Sequence, residues 1–95
     1  MTTIDLNGKT ALVTGASKGI GAAIARIFAE AGANVMLSSR KMDALEEAAS
    51  TIDGETACFA ANAGRPDEAQ AAVSATIERF GSVDILVNNA ATNPY

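Results

Sequence analysis

Three glycines, Gly15, Gly19 and Gly21, follow the apolar run Ala11-Leu12-Val13 directly and lead into an alanine-rich stretch of helical spacing. A buried strand that turns sharply through glycine into a helix is the start of a βαβ unit. Few other folds accommodate that order. The turn also has a chemical meaning. A phosphate held by bare backbone amides at a helix amino end needs side chains kept out of its way, and Gly15, Gly19 and Gly21 remove them. Gly15 permits the tight turn, Gly19 the close approach, and Gly21 the packing of the helix on the sheet. The spacing is G-x-x-x-G-x-G rather than G-x-G-x-x-G. A P-loop is excluded, because Thr3 stands where the first glycine of Gly8-Lys9-Thr10 would be required, and that triplet precedes a strand.

The rest of the chain continues the alternation. Strands are expected near Lys9 to Thr14, Asn34 to Ser38, Thr56 to Ala60 and Val83 to Val87. Each is short and mostly apolar, as in a parallel sheet covered on both faces. Ile20, Ile24, Ile27, Phe28 and Ala31 form one helical stripe, ended by Gly32. A second helix is expected from Met42 to Ile52, with Leu45, Ala48, Ala49 and Ile52 inward. A third starts at Pro66 and turns Ala69, Val73, Ile77 and Phe80 inward before Gly81. Arg65 stands where a capping Asp or Ser would serve this helix, an expected cost of about 0.5–2 kcal/mol. Right-handed crossovers place the strands in the order 3-2-1-4 with three helices, part of a Rossmann-like doubly wound α/β domain spanning residues 1–95. Its ligand crevice falls at the carboxyl ends of strands one and four, beside Gly15 to Gly21 and Asn88 to Ala91.

Composition narrows the partners. The chain of 95 residues is 48% hydrophobic with a net charge of −4 and no histidine. Without a basic stripe it is not built for nucleic acid, and without a long apolar run it has no expected membrane segment. Cys58 is the one cysteine, so no internal disulfide forms, its apolar neighbours point to a buried thiol, and a cytoplasmic setting is expected. No carboxylate cluster suits a metal.

The end of the second strand points to a cofactor. An NAD site presents an acid there for the ribose 2′-hydroxyl, but no Asp or Glu occurs from Ala31 through Met42. Ser39 and Arg40 occupy that position and Lys18 sits in the glycine loop. Arg40 offers a planar fork and Lys18 a point charge to a 2′-phosphate, so NADP is expected in preference to NAD. Ser17 either donates to a phosphate oxygen or satisfies the turn. Asn62 either accepts a hydrogen bond from an adenine edge beside Ala63 or simply makes a turn. Asp84 leads into the fourth strand and is a secondary candidate for steadying the adenine.

Thr14 to Gly21, taken with Asp84-Ile85-Leu86-Val87-Asn88-Asn89-Ala90-Ala91, resembles the short-chain dehydrogenase/reductase family over essentially the whole chain. The resemblance implies that Gly15, Ser17, Lys18, Gly19, Ile20 and Gly21 hold the pyrophosphate. It implies that Asn62 and Ala63 meet the adenine, and that Asn89, Ala90 and Ala91 stabilise the sheet and line the ribose; Ala91 replaces the family's usual Gly. It further implies an oxidoreductase acting on a small carbonyl or alcohol substrate, commonly as a homo-oligomer. The family's Ser and Tyr-x-x-x-Lys are missing, because the only tyrosine is Tyr95. No catalytic residue is therefore expected in these 95 residues, which read as the cofactor-binding half of a reductase. A non-catalytic nucleotide-binding module and an inactive fragment are the alternatives.

Overall fold

The computed structural model describes residues 4–89. Along the chain run β1 (Thr10–Thr14), α1 (Gly19–Glu30), β2 (Asn34–Ser39), α2 (Met42–Ser50), β3 (Thr56–Ala60), α3 (Pro66–Phe80) and β4 (Ile85–Val87). The strands form one parallel sheet in the order β3-β2-β1-β4. This is the expected Rossmann-like arrangement, with the chain reversing direction across the sheet between β1 and β4. Val35 and Leu37 of β2 pack with Val13, Ala25, Ala29 and Leu45 on the face covered by α1 and α2. Met36 lies on the opposite face with Leu12, Ala61 and Ala72, under α3. That alternation is the period-two consequence of the strand pleat. All five residues of β1 are buried, because both faces of this inner strand are covered. Leu45 is wholly buried, worth about 1.5–3 kcal/mol of apolar transfer.

The helices correct the expected stripes. In α1 the buried line is Gly21, Ala25 and Ala29, flanked by the half-buried Ile24 and Phe28, while Ile20 and Ile27 are 71% and 53% exposed. In α3 the buried positions are Ala72 and Thr76, and Ile77 is exposed. The reason is distance. A helix lying close on a sheet has room only for small side chains along its line of contact, and larger ones move to its flanks. The hydroxyl of Thr76 is buried without penalty because it donates to the Ala72 carbonyl at 2.7 Å.

The close approach is tightest at the amino end of α1. A Cβ built on Gly21 overlaps the Gly15 carbonyl oxygen and lies 2.7 Å from Asn89 Nδ2. Gly19 differs, since a Cβ there meets nothing and its only demand is a φ of +63°.

Element ends depart from the expected ones by one or two residues. The helix α2 stops at Ser50 rather than Ile52, where the amides of Thr51 and Ile52 bond the Ala48 and Ala49 carbonyls in a tightened last turn. The strand β4 begins at Ile85 rather than Val83 because Asp84 enters the ladder with its side chain. Its Oδ2 accepts the Thr10 amide at 2.9 Å and its own amide donates to the Thr10 carbonyl at 2.8 Å. Asp84 thus sits at the amino end of β1. It does not belong to the adenine pocket, since β1 separates it from the Thr14 end by four residue steps, about 13 Å. The start of α3 lacks a side-chain cap, as expected. Arg65 makes no capping hydrogen bond, but Glu68 pairs with Arg65 Nε at 3.3 Å and its Oε1 accepts the Asn62 amide at 2.7 Å. The first turn of α3 is therefore tied down by a residue inside the helix. Cys58 on β3 is half-buried rather than fully buried, and it packs against the Leu45 side of the sheet. Burial first, and the Glu46 carboxylate second, push its thiol above the usual value.

Three outcomes test this packing. Replacing Asp84 by Ala strands the buried Thr10 amide, and denaturant titration should register a loss of about 1–3 kcal/mol. Gly21→Ala should lower the melting temperature far more than Gly19→Ala, whose positive φ costs on the order of 1 kcal/mol. Cys58 should react with iodoacetamide more slowly in the folded protein than in denaturant, since only the thiolate attacks. The folded state keeps the Cys58 proton to higher pH than the unfolded chain does. The stability this contributes is therefore complete below the unfolded thiol pKa and declines as pH rises through the thiol range.

Candidate functional site

The carboxyl ends of the strands gather four short segments, and β1, β2 and β4 stop there where glycine or a polar residue follows. The first is the turn from Gly15 into α1. Its position is set from two sides, by the Ala16 amide donating to the Ser38 carbonyl at 3.1 Å and by Gly21 seated against the Gly15 carbonyl. Lys18 is the N-cap of α1 in an extended conformation, and no side chain caps the helix. No acidic residue lies in its first turn. The amides of that turn are thus left for an external acceptor, in the geometry that a helix amino end offers an anion. Lys18 and Ile20 are exposed on the rim and Ser17 is half-buried.

The second segment is the end of β2. Ser39 is half-buried, and its hydroxyl oxygen is shut off from solvent without a hydrogen-bond partner. Arg40 follows it, exposed. Among the described residues neither Arg40 nor Lys18 has an ion pair, the one such pair being Arg65 with Glu68. Two cations without an ion pair, next to an unpartnered hydroxyl at the end of β2, suit a ligand carrying phosphate oxygens.

The third segment follows β3. Asn62 is a turn residue by geometry, its Oδ1 accepting the Gly64 amide at 2.9 Å and its carbonyl the Arg65 amide at 3.0 Å. A carbonyl oxygen has two lone pairs, so Oδ1 keeps one for a ligand, and the two roles expected of Asn62 are compatible. Ala63 borders a cavity of about 90 Å³ whose mouth is formed with Thr14, Ser38 and Asn88 and whose floor is Leu12.

The fourth segment follows β4. The Asn89 amide donates to the Thr14 hydroxyl at 3.0 Å, and that hydroxyl faces the Val87 carbonyl at 3.3 Å and Asn88 Oδ1 at 3.2 Å. Asn89 therefore ties β4 to β1, in line with the structural role expected of it, and its side chain stands beside Gly21. Ala90 and Ala91 lie outside the described residues.

The crevice thus brings together Gly15, Ser17, Lys18, Gly19, Ile20 and Gly21 with Arg40, Asn62, Ala63 and Asn89. Sequence reasoning left two contributors off its list of site residues. Ser39 had a signal, as the residue before Arg40 at a strand end. Glu68 had a weaker one, an acid in the first turn of a helix with no capping residue. A wider cleft of about 410 Å³ opens between α1 and α2, lined by Ser17, Ala22, Arg26 and Glu47 among others. Ser17 and Gly19 of the glycine turn also line it, so it adjoins the first segment of the site on the α2 side. Among the described residues no cluster of metal-ligating side chains occurs, and no helix is long and apolar enough to cross a membrane.

Comparison with known proteins agrees with this geometry. The dehydrogenase/reductase SDR family member 4 of Homo sapiens is 41% identical over 96 residues, which cover 95% of this chain and 34% of that protein. A hydroxysteroid dehydrogenase from Escherichia coli superposes with a TM-score of 0.89 at 38% identity, covering 93% of this chain and 39% of the other. L-Sorbose reductase from Gluconobacter frateurii, solved with NADPH and L-sorbose, gives a TM-score of 0.87 at 39% identity, over 96% of this chain and 36% of the other. The chain spans only about a third of the length of the curated relatives it matches. Residues 9–94 match the family described as short chain dehydrogenase, and the chain belongs to that family.

Proposed function

We propose that this chain forms the cofactor-binding part of an NADP-dependent oxidoreductase acting on a carbonyl/alcohol pair. The observation that carries the choice of NADP is the end of β2, where the unpartnered Ser39 hydroxyl and the free Arg40 guanidinium stand in place of an acid. An acid would accept from a ribose 2′-hydroxyl and repel a 2′-phosphate; a guanidinium and a hydroxyl do the reverse. The likeness to a reductase solved with NADPH supports the same choice.

In this function the first turn of α1 receives the pyrophosphate on its amides, Lys18 and Arg40 flank the 2′-phosphate, and Asn62 with Ala63 meets the adenine. Asn89, Ala90 and Ala91 border the ribose on the nicotinamide side. The bound cofactor supplies the hydride chemistry, and the protein residues orient it. No residue of the chain is assigned a proton-transfer role, because no histidine and no tyrosine other than Tyr95 is available. The chain alone is proposed to bind without turnover. A homo-oligomer is proposed on the family likeness, and a lone half-buried cysteine suits a reducing cytoplasm.

Titration with NADPH and NADH, in the unaltered protein and in Arg40→Ala, tests the assignment. Loss of a charge-assisted contact of about 1.5–3 kcal/mol should weaken NADPH by about 10-fold to 150-fold and leave NADH nearly unchanged. An equal loss for both cofactors overturns the role of the guanidinium.

A further inference from the structure

Glu68, in the first turn of α3, has two partners outside the helix. Its Oε1 reaches back six residues to accept the Asn62 amide at 2.7 Å, while the other carboxylate oxygen pairs with Arg65. The segment between is bound on every side. The Gly64 amide donates to Asn62 Oδ1, and the Arg65 amide donates to the Asn62 carbonyl. With the Asn62 amide taken by Glu68, the turn leaves two groups for a ligand at the end of β3. They are the second lone pair of Asn62 Oδ1 and the amide of Ala63, which has no hydrogen-bond partner among the described residues. One acceptor beside one donor is the complement of an adenine edge, whose amino group donates and whose adjacent ring nitrogen accepts.

We infer that Glu68 is a positioning residue for base recognition, holding Asn62 and Ala63 so that their acceptor and donor face the adenine edge together. This rests on the adenine site proposed above. Without the carboxylate, the Asn62 amide loses the acceptor that fixes its direction, and the acceptor–donor pair loses its register with the base while the pyrophosphate and 2′-phosphate contacts on other segments stay as they are. Glu68 itself touches no cofactor atom.

Hypoxanthine replaces the adenine amino group by a carbonyl and puts a hydrogen on the adjacent nitrogen, so it opposes both groups of the turn. The test compares the dissociation constants of NADPH and its hypoxanthine analogue for the intact protein, Glu68→Ala and Glu68→Gln, with thermal melts alongside. The unaltered protein should prefer NADPH by about 3-fold to 10-fold, the range of one or two ordinary hydrogen bonds. Glu68→Ala should bring the two cofactors close to parity. Glu68→Gln, which keeps an oxygen acceptor for the Asn62 amide, should retain the preference. A purely structural role would weaken both cofactors equally, so an unchanged ratio in Glu68→Ala, at whatever stability, overturns the inference for Glu68 alone. Loss of the preference in Glu68→Gln overturns it as well. No preference in the unaltered protein removes the adenine reading of Asn62 and Ala63, and the role of Glu68 with it.

Discussion

The contact between Gly21 and the Gly15 carbonyl is the constraint on which the remaining geometry depends. It draws the first turn of α1 down against the end of β1, closer than any side chain would allow. Three consequences follow from that distance. The amides of the turn are aimed at the crevice. The buried line of α1 must continue in small residues, Ala25 and Ala29, so that the helix stays parallel to the sheet it has approached. Asn89 is brought beside Gly21, which couples the turn after β1 to the end of β4. The exposed helix amino end and the helix–sheet packing mode therefore come from one missing methyl group.

The two ends of the sheet are used differently. At the amino end, Asp84 Oδ2 accepts from both the Thr10 amide and the Ser82 hydroxyl, so the carboxylate serves the ladder and its turn. At the carboxyl end, the polar groups are partly unsatisfied: the Ser39 hydroxyl, the uncapped amides of α1 and the cations Lys18 and Arg40. Buried polar groups are ordinarily paired, so the orphan Ser39 hydroxyl at the end of β2 stands out against the satisfied amino end. The same contrast explains why Asp84 and Glu68, both acids near strand ends, differ in consequence. One closes a ladder, and the other holds a turn that still has an acceptor and a donor free.

Much of this was legible from residue order. Gly15, Gly19 and Gly21 after an apolar run gave the strand, turn and helix because only glycine suits those positions. The alternation of short apolar runs with alanine-rich stretches gave the sheet order, since right-handed crossovers leave few alternatives. The facing residues of α1 and α3 were not legible. Ile20, Ile27 and Ile77 have the hydrophobicity and spacing of a core stripe, but how close a helix lies to its sheet is set by packing against other segments, and that distance favoured Ala25, Ala29 and Ala72 instead.

By itself, the amino-acid sequence determined the element types, the strand order, the glycine turn into α1 and the lack of an acid at the end of β2, because each depends on local backbone chemistry or on chain direction alone. Only the tertiary structure decided which end of the sheet Asp84 serves, that Ser39 keeps an unpartnered hydroxyl, and that Glu68 reaches back to Asn62. Those are relations between groups that separate strands and helices bring together. A side-chain hydrogen bond depends on a few tenths of an ångström, which sequence spacing cannot encode.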